Sequence, residues 1–130
     1  MGQQQILLIV LGVIIVGIAI VVGINLFNAS AISSNRDAVI NDLSNLAVQA
    51  HNYYSKPTSI GGGGNSFVNY TIPTALASTA NGTYTIVTAG TATGITFQGV
   101  GNQIASGSNY VTAQIFVNVP PLVDSTAVIY

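Results

Sequence analysis

The sequence begins MGQQQILLIVLGVIIVGIAIVVGINLF (residues 1–27), and this opening constrains how the rest of the chain can be arranged. From Ile6 to Ile24 there are nineteen residues, all of them Ile, Leu, Val, Ala or Gly, and none of them charged. A helix of about 20 apolar residues crosses the hydrocarbon core of a bilayer. The segment therefore has the length and the composition of a membrane-spanning helix.

The flanks of this segment lack the usual marks of membrane insertion or secretion. No Lys or Arg stands next to it, although basic residues normally orient a membrane helix. A signal peptide would show a basic start, a shorter apolar stretch and a small-residue cleavage site, and the quoted residues show none of these. We therefore expect a helix that can span a membrane but has no flanking basic residues to fix its position and orientation there.

Composition excludes several classes of protein. The 130 residues allow one domain besides the apolar segment. Soluble proteins are about one quarter charged, whereas this chain has only five charged residues, which are Arg36, Asp37, Asp42, Lys56 and Asp124. A nucleic-acid interface needs clustered Lys and Arg, so we expect no nucleic-acid partner. The chain has no cysteine, which excludes disulfides, thiol catalysis and thiolate metal sites.

The apolar opening is predicted to continue into a much longer helix. No proline occurs before Pro57, so one helix can run from about Gln3 to about Tyr54. After residue 28 apolar side chains recur every three or four positions, which indicates an amphipathic helix; they are Ile32, Val39, Leu43, Leu46, Ala50 and Tyr53. The opposite face is predicted to carry Ser34, Asn35, Asp37, Asn41, Asp42, Ser44, Asn45 and Gln49. About 50 residues make a helix about 75 Å long, so its second half must pack on something other than a membrane.

The stretch SKPTSIGGGGN (residues 55–65) ends the predicted helix, because Pro57 disfavours helical geometry before it and four glycines permit a turn. Beyond it, apolar residues alternate with polar ones, which predicts strands around 68–72, 84–86 and 95–97 and, most clearly, over YVTAQIFVNV at 110–119. TAVIY at 126–130 is a candidate short last strand. Asn81-Gly82 is a tight-turn signal.

A head of about 75 residues without disulfides seldom stabilises itself alone. The apolar stripe on the helix needs a cover, and the predicted sheet needs a partner for its apolar face. We therefore predict an α+β fold with three parts. Residues 1–28 form a hydrophobic stalk helix, residues 29–55 form the amphipathic half of the same helix, and residues 56–130 form an antiparallel β-sheet head packed on that half.

This arrangement, together with the segment AVINDLSNLAVQAHNYYSKPTS at 38–59, resembles the type IV pilins and pilin-like filament subunits. The bacterial branch is the better match, and an archaeal-type pilin with a different head is the alternative. The resemblance covers the first 59 residues well and the head only in outline. It implies export as a precursor, removal of a short leader after a glycine, and N-methylation of the new first residue. It also implies storage in inner-membrane lipid, followed by stacking by the pilus assembly machinery into a filament whose core is a bundle of N-terminal helices.

The resemblance assigns assembly roles to the start of the chain. Met1 would be the N-methylated first residue, and Gln5 stands where the family usually has a Glu that neutralises the terminal amine of a neighbouring subunit. Ile14 and Ile15, in the middle of the stalk, would lie in the filament core. If cleavage instead follows Gly2, Gln3 becomes the first residue, so which residue begins the mature chain stays open, with Met1 favoured.

Side chains that could carry chemistry do not form a constellation in the sequence. His51 is the only histidine and has no partner nearby in sequence, so we interpret it as facing solvent or an interface. Asp37, Asp42 and Asp124 are too dispersed for a calcium loop and are interpreted as ordinary polar-face residues. Arg36 is a candidate for pairing across subunits. We expect no catalytic site, no metal and no cofactor, and hence no enzyme.

Of three matches to the pattern for N-linked sugar, Asn69-Tyr-Thr and Asn81-Gly-Thr are candidate glycosylation sites. A third match at Asn28 lies inside the predicted helix. Sugar linked to Ser or Thr is an alternative on a surface with so few charges.

These features lead to one favoured function and one alternative. The favoured function is the structural subunit of an extracellular cell-surface filament, a homo-oligomer held in the inner membrane before assembly. The alternative is a monomeric surface adhesin or binding module, anchored by a single membrane span and built on the same topology.

Overall fold

The predicted α+β fold is confirmed by the computed structural model of the chain, which describes residues 2–119 and 123–130. A long helix is followed by a four-stranded antiparallel sheet with the strand order β1-β2-β3-β4. The elements are α1 (Gly2–Ser55), a short 3-10 turn (Thr58–Ile60), α2 (Thr74–Ala77), β1 (Gly82–Thr88), β2 (Gly94–Ser106), β3 (Asn109–Asn118) and β4 (Val123–Val128).

Helix α1 is continuous over 54 residues, which corresponds to a length of about 80 Å. Its two halves differ in burial as the sequence predicts. Apart from the half-buried Gly23, every residue from 2 to 31 is exposed. The buried positions all lie in the second half, and they are Val39, Leu43, Leu46, Ala47 and Ala50. Ile32 and Tyr53, at the ends of the predicted stripe, are half-buried.

The glycine run that follows α1 caps the helix instead of forming a loose turn. The last four carbonyls of a helix have no partner within it. Here the backbone N–H of Gly63 donates to the Tyr53 carbonyl at 2.7 Å, and that of Asn65 donates to the Tyr54 carbonyl at 2.8 Å. A Cβ atom at Gly63 would collide with the Ser66 carbonyl oxygen and lie 2.7 Å from the Tyr53 ring. Glycine is therefore required where the chain folds back on the helix end.

The sheet follows the predicted strands closely. Strands β1 and β2 contain the predicted segments 84–86 and 95–97, and β3 contains the predicted segment 110–119 except for its last residue. The last strand begins before the predicted segment 126–130 and ends at Val128. The predicted Asn81-Gly82 turn lies at the start of β1, whose first residue is Gly82, and Ser78 and Thr83 form an isolated antiparallel bridge across it.

The strand predicted at 68–72 is wrong. No strand occurs between 61 and 77 in the structure, and Asn69 has a positive φ of 63°, which interrupts extended geometry. The Tyr70 N–H donates to the Phe67 carbonyl at 3.1 Å, so the chain turns here. Phe67 and Tyr70 enter the core while Val68 is exposed, and this spacing of three is hidden by the apparent alternation of Val68, Tyr70 and Ile72.

The core lies between the second half of α1 and one face of the sheet. Inward-facing residues of β2 and β3 meet the helix, and they are Ile95, Phe97, Val111, Ala113, Ile115 and Val117. The helix approaches β2 closely at Gly99, where a Cβ atom would lie 2.7 Å from Val39 Cγ1 and 2.8 Å from a carbon of the Tyr84 ring. The missing side chain of Gly99 thus gives α1 room to pack on β2.

We expect Gly99→Ala to lower the free energy of unfolding by about 1–3 kcal/mol, because the added methyl group must displace Val39 or Tyr84. The measurement is urea unfolding of the full chain in detergent micelles, followed by near-UV circular dichroism of its tyrosines. Gly17→Ala is the matched control, since a Cβ atom there has no neighbour within 4 Å. Equal midpoints for Gly99→Ala and the unaltered chain would contradict this packing.

Candidate functional site: the stalk and its junction with the head

The stalk presents an apolar surface on all of its sides. The large apolar side chains from Ile6 to Ile24 are each between 50 and 69 % exposed, and Phe27 is 80 % exposed. Monomeric soluble proteins seldom expose contiguous apolar patches larger than a few hundred Å². A surface of this kind is therefore expected to be covered by lipid or by other protein chains.

Within the described chain, α1 is the one helix that is long and apolar enough to cross a membrane, by length and composition. Its first charged residue is Arg36, which lies about 18 Å along the helix beyond Ile24. The uncharged stretch is thus longer than a hydrocarbon core needs. Neither a bilayer nor a bundle of similar helices would have to accommodate a charge along it.

The assembly residues predicted from the sequence lie on this surface. Ile14 and Ile15 are 53 and 58 % exposed, and as neighbours on a helix they point about 100° apart. Substitutions at these two positions therefore test two different sides of the stalk. Gln5 is exposed near the start of the helix, and Met1 lies outside the described residues. The assembly roles of these residues stay predictions.

Asp42 joins the helix to the head, so the prediction that it lies on the polar face opposite the apolar stripe is wrong. Its Oδ2 accepts three hydrogen bonds, from Tyr84 Oη at 2.7 Å, Thr79 Oγ1 at 2.9 Å and Asn81 Nδ2 at 3.1 Å. The reason lies in the helical period. Position 42 is three residues after the buried Val39, at the edge of the buried stripe, where the turn before β1 covers it.

Asn35 makes a second polar contact with the head, so the prediction that it too lies on the face opposite the stripe is also wrong. Its Nδ2 donates to the Asn81 carbonyl at 2.9 Å, and its Oδ1 accepts from the backbone N–H groups of Asn102 at 3.0 Å and Gln103 at 3.2 Å. The pairing of β2 with β3 shifts register after Val100. Asn35 thus binds backbone groups where the regular ladder is interrupted.

The electrostatics of the Asp42 contact favour its charged form. Burial alone would raise the pKa of the Asp42 carboxyl, but the hydrogen bonds from Tyr84, Asn81 and Thr79 outweigh burial and hold that pKa below its ordinary value. Burial, together with the bond to Asp42, raises the pKa of the Tyr84 hydroxyl. The carboxylate and the neutral tyrosine therefore stabilise each other at neutral pH.

We expect Asp42→Asn to lower the free energy of unfolding at pH 7 by about 1–3 kcal/mol, because the three donors lose a charged acceptor. A depressed carboxyl pKa adds stability that is complete above the unfolded value of about 3.9 and is lost as the pH falls through the lower folded value. The difference between Asp42→Asn and the unaltered chain should therefore shrink below about pH 4. Urea midpoints at pH 3 and pH 7 measure it.

The control for this experiment is Asp37→Asn, which removes the same charge from an exposed position of the same helix. We expect that variant to stay within about 0.5 kcal/mol of the unaltered chain. An equal loss of stability in the two variants would mean that net charge is responsible, and not the contact with the head.

The other residues that the sequence analysis considered for pairing or metal binding differ in burial and in their contacts. Arg36 is half-buried, and its Nε has no hydrogen-bond partner within the described chain; its pairing across subunits stays a prediction. The half-buried His51 ring lies edge-on to Phe67, with 6.3 Å between ring centroids. Residues 2–119 and 123–130 contain no group of three His, Cys, Asp or Glu placed to hold a metal ion.

The two glycosylation candidates differ in accessibility. The Asn69 side chain is exposed on the turn between Phe67 and Tyr70. Asn81 is half-buried, and its amide nitrogen is already bonded to Asp42. A sugar on Asn81 would have to displace that bond, whereas Asn69 could be reached without such a change. Glycosylation at either site stays a prediction.

Comparison of the chain with protein-family models, with curated proteins and with solved structures finds no match.

Proposed function

We propose that this chain is the structural subunit of an extracellular helical filament, and not an enzyme. One observation carries the proposal, namely the uncharged apolar stalk that is exposed on every side and continues as the same unbroken helix into a folded head. Other copies of the same stalk are a partner that fits such a surface on all sides. The filament would then have a core of bundled stalks and an outer layer of heads.

The stalk suits two successive environments. In inner-membrane lipid its backbone groups are satisfied within the helix, as a bilayer requires. In a filament the same side chains pack against neighbouring stalks, where Gly12, Gly17 and Gly23 allow close approach of helices. Burial of apolar surface from water contributes about 25 cal/mol per Å². Assembly from lipid would therefore be driven by packing, and release of a subunit into water would be strongly unfavourable.

The junction between stalk and head also supports a filament. A regular helical assembly needs every subunit to hold its head at the same angle to its stalk. Here α1 runs without a break into the core, and Asn35 and Asp42 bind the head near the point where the stalk leaves it. A head on a flexible tether would suit an isolated anchored module better than a repeating lattice.

The second candidate function is a monomeric surface adhesin anchored by one membrane span. The length and composition of the uncharged segment favour it, since they match a bilayer as well as a bundle. In that case the chain would stay in the membrane and the head alone would face outward. The two candidates differ in what covers the stalk, which is protein in the first and lipid in the second.

Electron microscopy of material sheared from cells that make this chain separates these candidates. We expect helical fibres about 5–10 nm wide, estimated from helices about 10 Å across bundled inside a layer of heads, and peptides of this chain in the purified fibres by mass spectrometry. Recovery of the chain only from detergent-solubilised membranes, and only as a monomer, would contradict the proposed filament and favour the anchored adhesin.

A further inference from the structure

The head contains an open groove at the end of α1, far along the helix from the stalk. The last two turns of the helix form one wall and the segment 69–73 forms the other, around a volume of about 550 Å³. Pockets for small ligands in proteins usually have volumes of about 300–1,000 Å³. The groove is therefore large enough for one or two rings of a small polar molecule.

Besides the exposed Thr71 hydroxyl, four longer exposed polar side chains line this groove: Gln49, Asn52, Lys56 and Asn69. Within the described part of the chain none of the four makes a side-chain hydrogen bond. Carboxamides offer both a donor and an acceptor, and an ammonium group offers three donors. The groove thus presents several hydrogen-bonding groups that an incoming ligand could use without breaking contacts inside the head.

Two tyrosines give the groove a rigid aromatic wall. Tyr53 donates through Oη to the Val68 carbonyl at 2.9 Å, and its ring meets Tyr70 edge-on at 5.3 Å. Tyr70 packs in turn against Phe97 at 5.7 Å. The buried Tyr70 Oη has no hydrogen-bond partner within the described chain, and a buried hydroxyl without a partner is costly. That hydroxyl is covered by protein, so the groove offers a ligand the tyrosine rings and not the Tyr70 hydroxyl.

The charge of the groove selects among polar ligands. Lys56 is one of only two basic residues in the chain, and no Asp or Glu is among the described residues that line the groove. The site is therefore locally cationic on a molecule with a net charge of −1. It favours a ligand with a negative charge, several hydroxyl groups and an apolar face that can rest on tyrosine.

We propose that this groove binds a sugar residue bearing a carboxylate, such as a uronic acid. Lys56 pairs with the carboxylate, the carboxamides of Gln49, Asn52 and Asn69 bind hydroxyl groups, and the tyrosine wall contacts the sugar ring. This binding does not depend on whether the chain forms a filament. In a filament it would give the outer surface a repeated site for acidic polysaccharide.

The test is a titration of the isotope-labelled full chain in detergent micelles, followed by NMR of its backbone and side-chain amides. Galacturonic acid is the probe, with galactose and acetate as the neutral and the sugar-free comparisons. We expect saturable shifts at Asn52 and Asn69 with galacturonic acid, and a dissociation constant on the order of 1 mM. Galactose should bind about tenfold more weakly, and acetate should give no saturable shift.

Two variants test whether the sugar binds in the groove. Lys56→Gln should weaken galacturonic acid binding about tenfold and leave galactose binding unchanged, whereas Asn52→Ala should weaken both. Asn45→Ala is the control, because it removes an exposed carboxamide from the same helix outside the groove. The spectrum of each variant without ligand shows whether the head is still folded.

Several results would overturn the proposal. One is the absence of a saturable shift with galacturonic acid up to its solubility. Another is equal binding of acetate, which would show that the groove takes a carboxylate alone, such as the end of a peptide. Equal affinities for galactose and galacturonic acid, or an unchanged affinity in a folded Lys56→Gln variant, would remove the role assigned to the charge.

Discussion

Replacement of Ile14 or Ile15 by Asp should abolish the proposed filaments. A charged side chain at the centre of a membrane helix costs about 2.5–3.5 kcal/mol on the insertion scale, and an unpaired charge inside a bundle of stalks is at least as unfavourable. Every subunit of a filament would carry this cost, so the effect repeats along the whole assembly. The measurement is the fibre yield by electron microscopy, normalised to the amount of subunit in the membrane fraction by immunoblot.

Gln5→Leu is the informative comparison for these variants. In type IV pilins, the family that the sequence suggested, a Glu at this place neutralises the terminal amine of a neighbour. Gln5 is uncharged and can offer only hydrogen bonds through its amide. We therefore expect Gln5→Leu to reduce the fibre yield modestly, because in the proposed filament the apolar contacts of residues 6–24 would supply most of the association. Complete loss of fibres, with the variant still stable in the membrane, would instead make the polar contact at Gln5 indispensable.

Leu46→Asp should prevent the head from folding. Leu46 is 1 % exposed and lies beneath the sheet, and an uncompensated buried charge costs about 3–5 kcal/mol. Small domains have little stability in reserve, so the subunit should fail to accumulate in cells. Near-UV circular dichroism of the tyrosines in the purified full chain measures the loss of packing directly.

The control for this variant is Asn45→Asp, which introduces the same charge at the preceding, exposed position. We expect that variant to accumulate and fold like the unaltered chain. Fibres of Leu46→Asp in normal yield would show that the sheet does not pack on this face of the helix.

The architecture could be read from the sequence because its signals are long and consistent. More than fifty residues without proline, an apolar stripe at helical spacing and a ten-residue alternation at 110–119 each indicate one structure only. In so small a head, the apolar stripe of the helix and the apolar face of the sheet can each be covered only by the other. The long helix, its buried half and the antiparallel sheet follow from these patterns.

Polar contacts across the junction could not be read in the same way. Asp42 and Asn35 fit the polar face of a helix by their chemistry, and only the fold brings the turn before β1 and the irregular part of β2 over them. The helical spacing offered one signal, since both positions border the buried stripe. Their partners, Tyr84 and Asn102, are more than forty residues away in sequence.

Local backbone geometry limited the prediction in the head. The alternation at Val68, Tyr70 and Ile72 looks like a strand, but the positive φ of Asn69 turns the chain and sends Phe67 inward. The role of Gly99 is equally invisible in sequence, because it depends on how closely the helix approaches. Both features are set by tertiary packing and not by local pattern.

The most direct test of the proposed filament is a helical reconstruction by cryo-electron microscopy of fibres formed by the full chain. We expect residues 6–24 of every subunit to lie in the core, surrounded by the same residues of other copies, with the heads forming the outer layer. A chain that forms no fibres and keeps residues 6–24 in contact with lipid alone would contradict the account. So would fibres in which the heads alone make the contacts between subunits.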